Sequence, residues 1–282
     1  MLRNTFSNLS SRFAIGPVLA VSLLLALFYT PIVSFLVRGM ADSGLVNYER
    51  VLTDTYYARV ILTTFKIALY ITIVDLLIAL PFALVMASRG PAYQIVCLFF
   101  VLLPFWSSQL IRVYAWTVIF GRTGPLNEML LTMGLISKPY QFMGSELAVV
   151  VAMAHVMLPY MVLPIYIALS RIPADLKHSA HGLGASSFAV LRTIVLPLAL
   201  GGIVAGSLLV FIISLGTYVA AAILGSGRVH VLATAIEQQI TVLGDWSMAS
   251  ALSMVLLVVT FVLYTVVRMA ERWGKTGHGR EA

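Results

Sequence analysis

The chain is short of charge. Only 10% of its 282 residues are Asp, Glu, Lys or Arg, while 60% are hydrophobic. A soluble domain carries about 25% charged and roughly 45–50% apolar residues. So few charges cannot cover a water-facing globule, which excludes soluble enzymes, disordered scaffolds and disulfide-stapled secreted domains. The mean hydropathy of +0.98 agrees. Cysteine is almost missing: Cys97 stands alone within an apolar run, so neither an intrachain disulfide nor a cysteine metal cluster can be built, and a buried small hydrophobe is expected there. No Ser/His/Asp or Cys/His constellation stands out, so no covalent chemistry and no resident cofactor or metal are expected. The length leaves no room for a membrane unit plus a sizeable soluble domain.

What is present is long apolar runs. A membrane span takes ~20 mostly apolar residues, since the hydrocarbon core is ~30 Å thick and a helix rises ~1.5 Å per residue. Six segments qualify, at 14–37, 60–88, 95–120, 146–169, 195–224 and 248–270. The expected fold is therefore all-α: one transmembrane domain over 14–270, with tails at 1–13 and 271–282. The first span outlasts a signal-peptide core and no small-residue cleavage site follows it, so it reads as a retained helix.

With six spans the termini share one side. That side carries Arg3, Arg12, Arg89, Arg171, Lys177, Arg192, Arg268, Arg272, Lys275 and Arg280 against Asp175, Glu271 and Glu281, which accounts for the whole net charge of +7. Counting Lys and Arg alone, the bias is ten to eight and favours cytoplasmic termini. Nucleic acid is not indicated, because no basic patch is interleaved with aromatics.

The segment 170–194 is polar enough to leave the membrane, yet it is patterned. Pro173 suits the first turn of a helix, and Asp175 sits where the helix dipole favours an anion. Leu176, Ala180 and Leu183 follow at i, i+4, i+7 as one apolar stripe. Gly184 can take the left-handed conformation that ends a helix, and Ser186 or Ser187 can cap the next. The expected product is a helix, a sharp glycine turn and a second helix lying across the membrane face. Physical pattern alone leaves a lipid-resting element and a docking element about equal.

The spacing His178-Ser179-Ala180, then Gly184, then Ile194-Val-Leu196-Pro197 resembles the EAA loop of type I ATP-binding-cassette importer permeases. His178 stands where that family has Glu, and Ser179 where it has Ala. Leu103-Pro-Phe-Trp-Ser-Ser-Gln-Leu-Ile-Arg-Val-Tyr114, Gly121-Arg-Thr-Gly-Pro-Leu-Asn127, Leu158-Pro-Tyr-Met-Val-Leu-Pro164 and Gly244-Asp-Trp246 are similar to the spermidine/putrescine permease subgroup. The resemblance covers most of 50–270. It implies a multi-pass subunit of a bacterial inner membrane that does no catalysis itself. It pairs with a second permease, two cytoplasmic ATPases that hold the ATP–Mg, and a periplasmic solute-binding protein. It also implies that the ATPases dock on Asp175, Leu176, His178, Ser179, Ala180, Leu183, Gly184, Ala185, Ile194, Leu196 and Pro197. The expected cargo is a polyamine, with opines, amino-acid derivatives or other small organic amines as the alternative. A secondary transporter is a weaker reading.

Several residues are candidates for the substrate path. Asp75 lies mid-span, where a carboxylate must face protein, water or a cation; it is either an acidic step for a cationic substrate or a packing residue. Trp106, Tyr114, Trp116, Tyr160 and Tyr218 could make cation–π contacts or form an ordinary aromatic belt. Trp106 and Tyr160 adjoin prolines that disrupt spans. Pro104 should kink or break the third span. Arg112 beyond it would repel a polyamine, so a structural partner or snorkelling is expected of it, and snorkelling of Lys66 as well. Glu237, Asp245 and Trp246 occupy the last loop, where a carboxylate could receive a cation or simply be solvated. His155 in the fourth span is expected to be a hydrogen-bonded core histidine. Gly274-Lys-Thr276 is no phosphate loop, because Met269 stands where the first Gly is required. His178-x-x-His181 lacks further ligands for a metal.

Overall fold

The structure is a computed structural model that describes residues 2–43 and 45–277, with side-chain surroundings described from residue 17 to 40, 45 to 265 and at 269. Arg280 and Glu281 lie outside the described residues, as do the side-chain surroundings of Arg3, Arg12, Arg268, Glu271, Arg272 and Lys275. Every regular element among the described residues is helical. Among the described residues five helices are long and apolar enough to cross a membrane, and a sixth span is counted if one sharply bent pair is taken together. The residues divide into two compact units, 1–54 with 236–255, and 55–235 with 256–282.

In the first unit, α1 (Leu2–Ser43) carries the apolar stretch Pro17–Met40, exposed along nearly all its length and buried only at Gly39. A helix that is apolar all round and unburied has lipid as its only compatible solvent. α2 (Val46–Thr53) follows. The unit closes where α1 meets the start of the last helix. Ser250 Oγ donates to the Phe35 carbonyl at 2.7 Å and accepts from the Gly39 amide at 3.2 Å. A Cβ at Gly39 would sit 2.8 Å from that hydroxyl, so the approach needs glycine. Asn47 Nδ2 donates to Ser247 Oγ at 2.9 Å beside it.

The second unit is built on α3 (Thr55–Ser88), α4 (Pro91–Leu102), α5 (Gln109–Ile119), α6 (Pro125–Thr132) and α7 (Glu146–Ser170). It continues through α8 (Ala174–Gly182), α9 (Ser187–Val190), α10 (Leu196–Leu215) and α11 (Val219–Leu224). α12 (Leu232–Thr241) and α13 (Trp246–Gly277) pass from one unit to the other. α7 is the central helix, with α3 and α10 packed on it, and its apolar residues run round its whole circumference. It starts where Ser145 Oγ accepts the Ala148 amide at 3.2 Å. Glu146 in its first turn pairs with Lys66 Nζ of α3 at 2.7 Å. Small residues let α10 approach: a Cβ at Gly202 would lie 2.5 Å from both the Pro164 carbonyl and Ala168 Cβ of α7.

One expectation about a break is met, and two others are corrected. The third span, placed at 95–120, breaks at Pro104 as expected there, into two helical pieces, Pro91–Trp106 and Gln109–Ile119, bent by 96°. Pro104 cannot donate into a helical ladder, so the chain tightens into a 3₁₀ turn at Leu103–Trp106. Ser107 and Ser108 are then extended, at ψ 143° and 140°, and reset the direction. The fifth span, expected over 195–224, runs from Ser187 to Leu215; the break at Gly216–Tyr218 makes α11 a separate helix. Its start includes a π-helical stretch, Leu191–Val195, in which the Leu196 amide reaches back to the Leu191 carbonyl. Pro197 has no N–H for the Thr193 carbonyl, and the ring widens the turn ahead of it. His155, expected as a hydrogen-bonded core residue, is hydrogen-bonded, its Nδ1 accepting from Trp116 Nε1 at 3.5 Å, but it is exposed and not in the core.

Candidate functional site

Two places in the second unit bring functional side chains together. The first is the hairpin α8–α9. Pro173 stands just before the helix as its N-cap residue, and Asp175 lies in the first turn. The helix ends in two reciprocal hydrogen bonds: the Gly184 amide to the His181 carbonyl at 2.9 Å, and the Ala185 amide to the Ala180 carbonyl at 3.0 Å. This is a Schellman ending, which needs a left-handed residue between the partners, and Gly184 has φ +85°. Ser186 Oγ then accepts the Ala189 amide at 3.2 Å and starts α9. Ala180 and Ala185 are half-buried against the main core and pin the hairpin to the bundle. Several other side chains stay bare: Asp175, Leu176, His178 and Ser179 are exposed, Leu183 is 90% exposed and Phe188 71%. Ile194 is half-buried, and Leu196 and Pro197 form the entry to α10. Phe188 belongs to the same bare surface but escaped sequence reasoning; its signal was a lone aromatic in a polar stretch.

The second place is a cavity at the break of the third span. It is lined by Phe105, Gln109 and Arg112 from the break, Val156, Met157, Pro159 and Tyr160 from α7, and Ile213 from α10. Phe105 and Tyr160 pack with ring centroids 5.2 Å apart. Arg112 is the only charged residue in the lining. Of the aromatic candidates, Tyr160 is in this cavity. Trp106 is 77% exposed and its neighbour Phe105 takes the lining position, because a 3₁₀ turn rotates successive side chains by a third of a circle. Tyr114 is exposed on α5, and Tyr218 is exposed at the start of α11. Gln109 went unsingled in the sequence; a polar residue three positions before Arg112 was its only signal.

The other candidates are placed separately. Asp75 is wholly buried on α3, and neither carboxylate oxygen has a hydrogen-bond partner among the described residues. Glu237 Oε1 accepts from Thr241 Oγ1 at 2.8 Å, within its own helix. Asp245 Oδ1 accepts the Met248 amide at 2.8 Å and so caps α13. Trp246 packs edge-on against Phe35, with centroids 6.4 Å apart. A loop clamp stands beside the bent span: buried Asn127 donates to the Gly121 and Tyr140 carbonyls, each at 3.0 Å, and accepts the Tyr140 amide at 2.8 Å.

A bundle of apolar spans with one broken helix, a cavity at the break and a polar helical hairpin is the architecture of a membrane-spanning protein. Residues 68–274 match the family described as binding-protein-dependent transport system inner membrane component. The chain belongs to that family and is an inner-membrane permease of the ATP-binding-cassette kind. It is 35% identical over 245 residues to the spermidine/putrescine transport system permease protein PotB of Haemophilus influenzae, covering 85% of each. It is 32% identical to the protein of the same name in Escherichia coli, covering 85% of this chain and 88% of that one. A putative 2-aminoethylphosphonate transport system permease protein of Salmonella typhimurium is 25% identical, covering 90% of each. Its fold matches a subunit of a bacterial ABC transporter that imports the acidic polysaccharide alginate, with TM-score 0.71 at 16% identity over 95% of this chain and 98% of that one. A second structure of the alginate transporter contains an alginate pentasaccharide-bound periplasmic protein; there the TM-score is also 0.71, at 17% identity, over 94% of this chain and 96% of that one.

Proposed function

We propose that this chain is one of two permease subunits of an importer that carries a polyamine, such as spermidine or putrescine, into the cell. Both termini lie in the cytoplasm, the side that holds the basic tails. Two cytoplasmic ATPase subunits hold ATP–Mg and each receives a docking hairpin, here α8–α9. A periplasmic binding protein delivers the substrate from the opposite side. The observation that carries this reading is the hairpin itself: a glycine-closed, core-anchored turn that leaves Leu176, Leu183 and Phe188 bare among polar neighbours. Bare apolar side chains on a rigid, capped element are what a partner groove buries. The support for a polyamine is the 35% and 32% identity to the two spermidine/putrescine permeases.

In this scheme the chain does no covalent chemistry. ATP binding draws the ATPases together and moves the hairpins, and rigid-body tilting of the spans switches the path from inward-open to outward-open. Lys177, beside His178 and His181, makes the docking face weakly basic, so an acidic groove suits it.

A second reading, a solute bearing a carboxylate such as an opine or another amino-acid derivative, is favoured by Arg112 in the cavity lining. The test is ATPase stimulation of the complete importer in nanodiscs by its binding protein, across spermidine, putrescine, opines and amino acids. Stimulation by polyamines alone supports the first reading; stimulation only by a carboxylate-bearing ligand replaces it with the second.

A further inference from the structure

The cavity at the broken span is lined by polar side chains that have no partner among the described residues. Gln109, Arg112 and Tyr160 belong to its lining, and the side chain of none of them makes a hydrogen bond or ion pair among the described residues. Arg112 Nε is closed off from solvent without a partner. Gln109 is also the first residue of α5, and its N-cap, Ser108, gives no side-chain hydrogen bond. The free N–H groups of that first turn therefore add positive potential at the same end. Phe105 and Tyr160 supply an apolar wall.

A cation inside a membrane protein is held by a counter-charge, and this chain supplies none to Arg112 among the described residues. An ammonium group entering the cavity meets a like charge. A carboxylate meets a planar fork that it can bind through both oxygens, and the amide and phenol donate to its remaining lone pairs. We propose that this cavity is a carboxylate-binding site, with Arg112 as its charged ligand and Gln109 and Tyr160 as neutral donors. The proposal rests on the importer reading for its setting and concerns a different place from the docking hairpin. Two sources offer the same chemistry: a small-molecule carboxylate passing through the permease, and an Asp or Glu side chain reaching in from the second permease.

The experiment uses the complete importer in nanodiscs with the parent chain, Arg112→Gln and Arg112→Lys. Radiolabelled benzoate is the probe for a free carboxylate, read by scintillation proximity at constant ionic strength. Saturable binding that is lost in Arg112→Gln and weakened in Arg112→Lys, which keeps the charge but not the fork, assigns the site to a small molecule. In parallel, each Asp and Glu in the spans of the second permease is changed to its amide, alone and together with Arg112→Gln, and stimulated ATPase activity is measured. A pair in which each single change lowers activity about tenfold or more, and the double change lowers it no further, assigns the site to that side chain. If Arg112→Gln binds benzoate as the parent does and couples to no acidic residue, the proposal is overturned. Copurification of the ATPase with the parent chain, scored on the same preparations, reports on the importer reading independently.

Discussion

The Ala185 amide donates to the Ala180 carbonyl at 3.0 Å, across a glycine held at φ +85°. This bond turns the chain at the end of α8 and sets the angle at which α9 leaves. The space around Gly184 is open: a Cβ there would meet nothing within 4 Å. The position therefore requires glycine for its backbone conformation and not for room.

Gly184→Val should strain the turn by about 1–2 kcal/mol, the cost of a left-handed residue bearing a Cβ. ATPase stimulation should fall while the chain still inserts and elutes as a monodisperse complex. Gly184→Asn, which tolerates the left-handed region, should recover most of the activity. Normal transport in Gly184→Val counts against the hairpin as the coupling element.

Gly202 behaves in the opposite way. A Cβ there would press on the Pro164 carbonyl and on Ala168 at 2.5 Å. Gly202→Ala should therefore part α10 from α7, lowering the thermal midpoint in detergent and the yield of folded protein. An unchanged midpoint would mean that the two helices are not in close contact.

Thr64 joins two segments far apart in sequence. Its buried hydroxyl donates to the Val60 carbonyl at 2.7 Å and accepts the Leu232 amide at 2.8 Å. Thr64→Val keeps the shape and strands that amide, which costs about 1–3 kcal/mol. Amide hydrogen exchange at Leu232 should accelerate in the variant, and equal protection in both proteins would contradict the assignment.

Asn127 holds the chain before α7 through three hydrogen bonds. Asn127→Ala should release the segment around Tyr140 to limited proteolysis while leaving α3, α7 and α10 protected. Cleavage no faster than in the parent would show that the clamp is redundant.

Much of the bundle can be read from the sequence because its apolar runs are long enough to span, and because Pro104 cannot continue a helix. The helix–glycine–helix pattern at 174–190 is legible for a similar reason: left-handed endings and hydroxyl caps are local chemistry. Rotation and direction are not legible. α7 is apolar on every face, so its sequence gives no sign of which side meets α3 and which meets α10. The 96° bend depends on two extended serines after Pro104, and the exchange of Trp106 for Phe105 at the cavity follows from the 3₁₀ geometry there. Asp245 drew attention as a loop carboxylate, but it acts as a helix cap, a role visible only once α13 is known to start at Trp246. Arg112 could be placed near a kink, but that its buried Nε has no partner among the described residues is a three-dimensional fact.

The most direct test of the central claim is site-directed cross-linking at the hairpin. With the buried Cys97 replaced by alanine, Leu183→Cys and Phe188→Cys are introduced singly into the assembled importer and treated with a short bifunctional thiol reagent. The account predicts a covalent product between this chain and the ATPase subunit at both positions, and none from a cysteine at exposed Met133 on a different loop. Copurification of the ATPase without a cross-link from either hairpin position would contradict it.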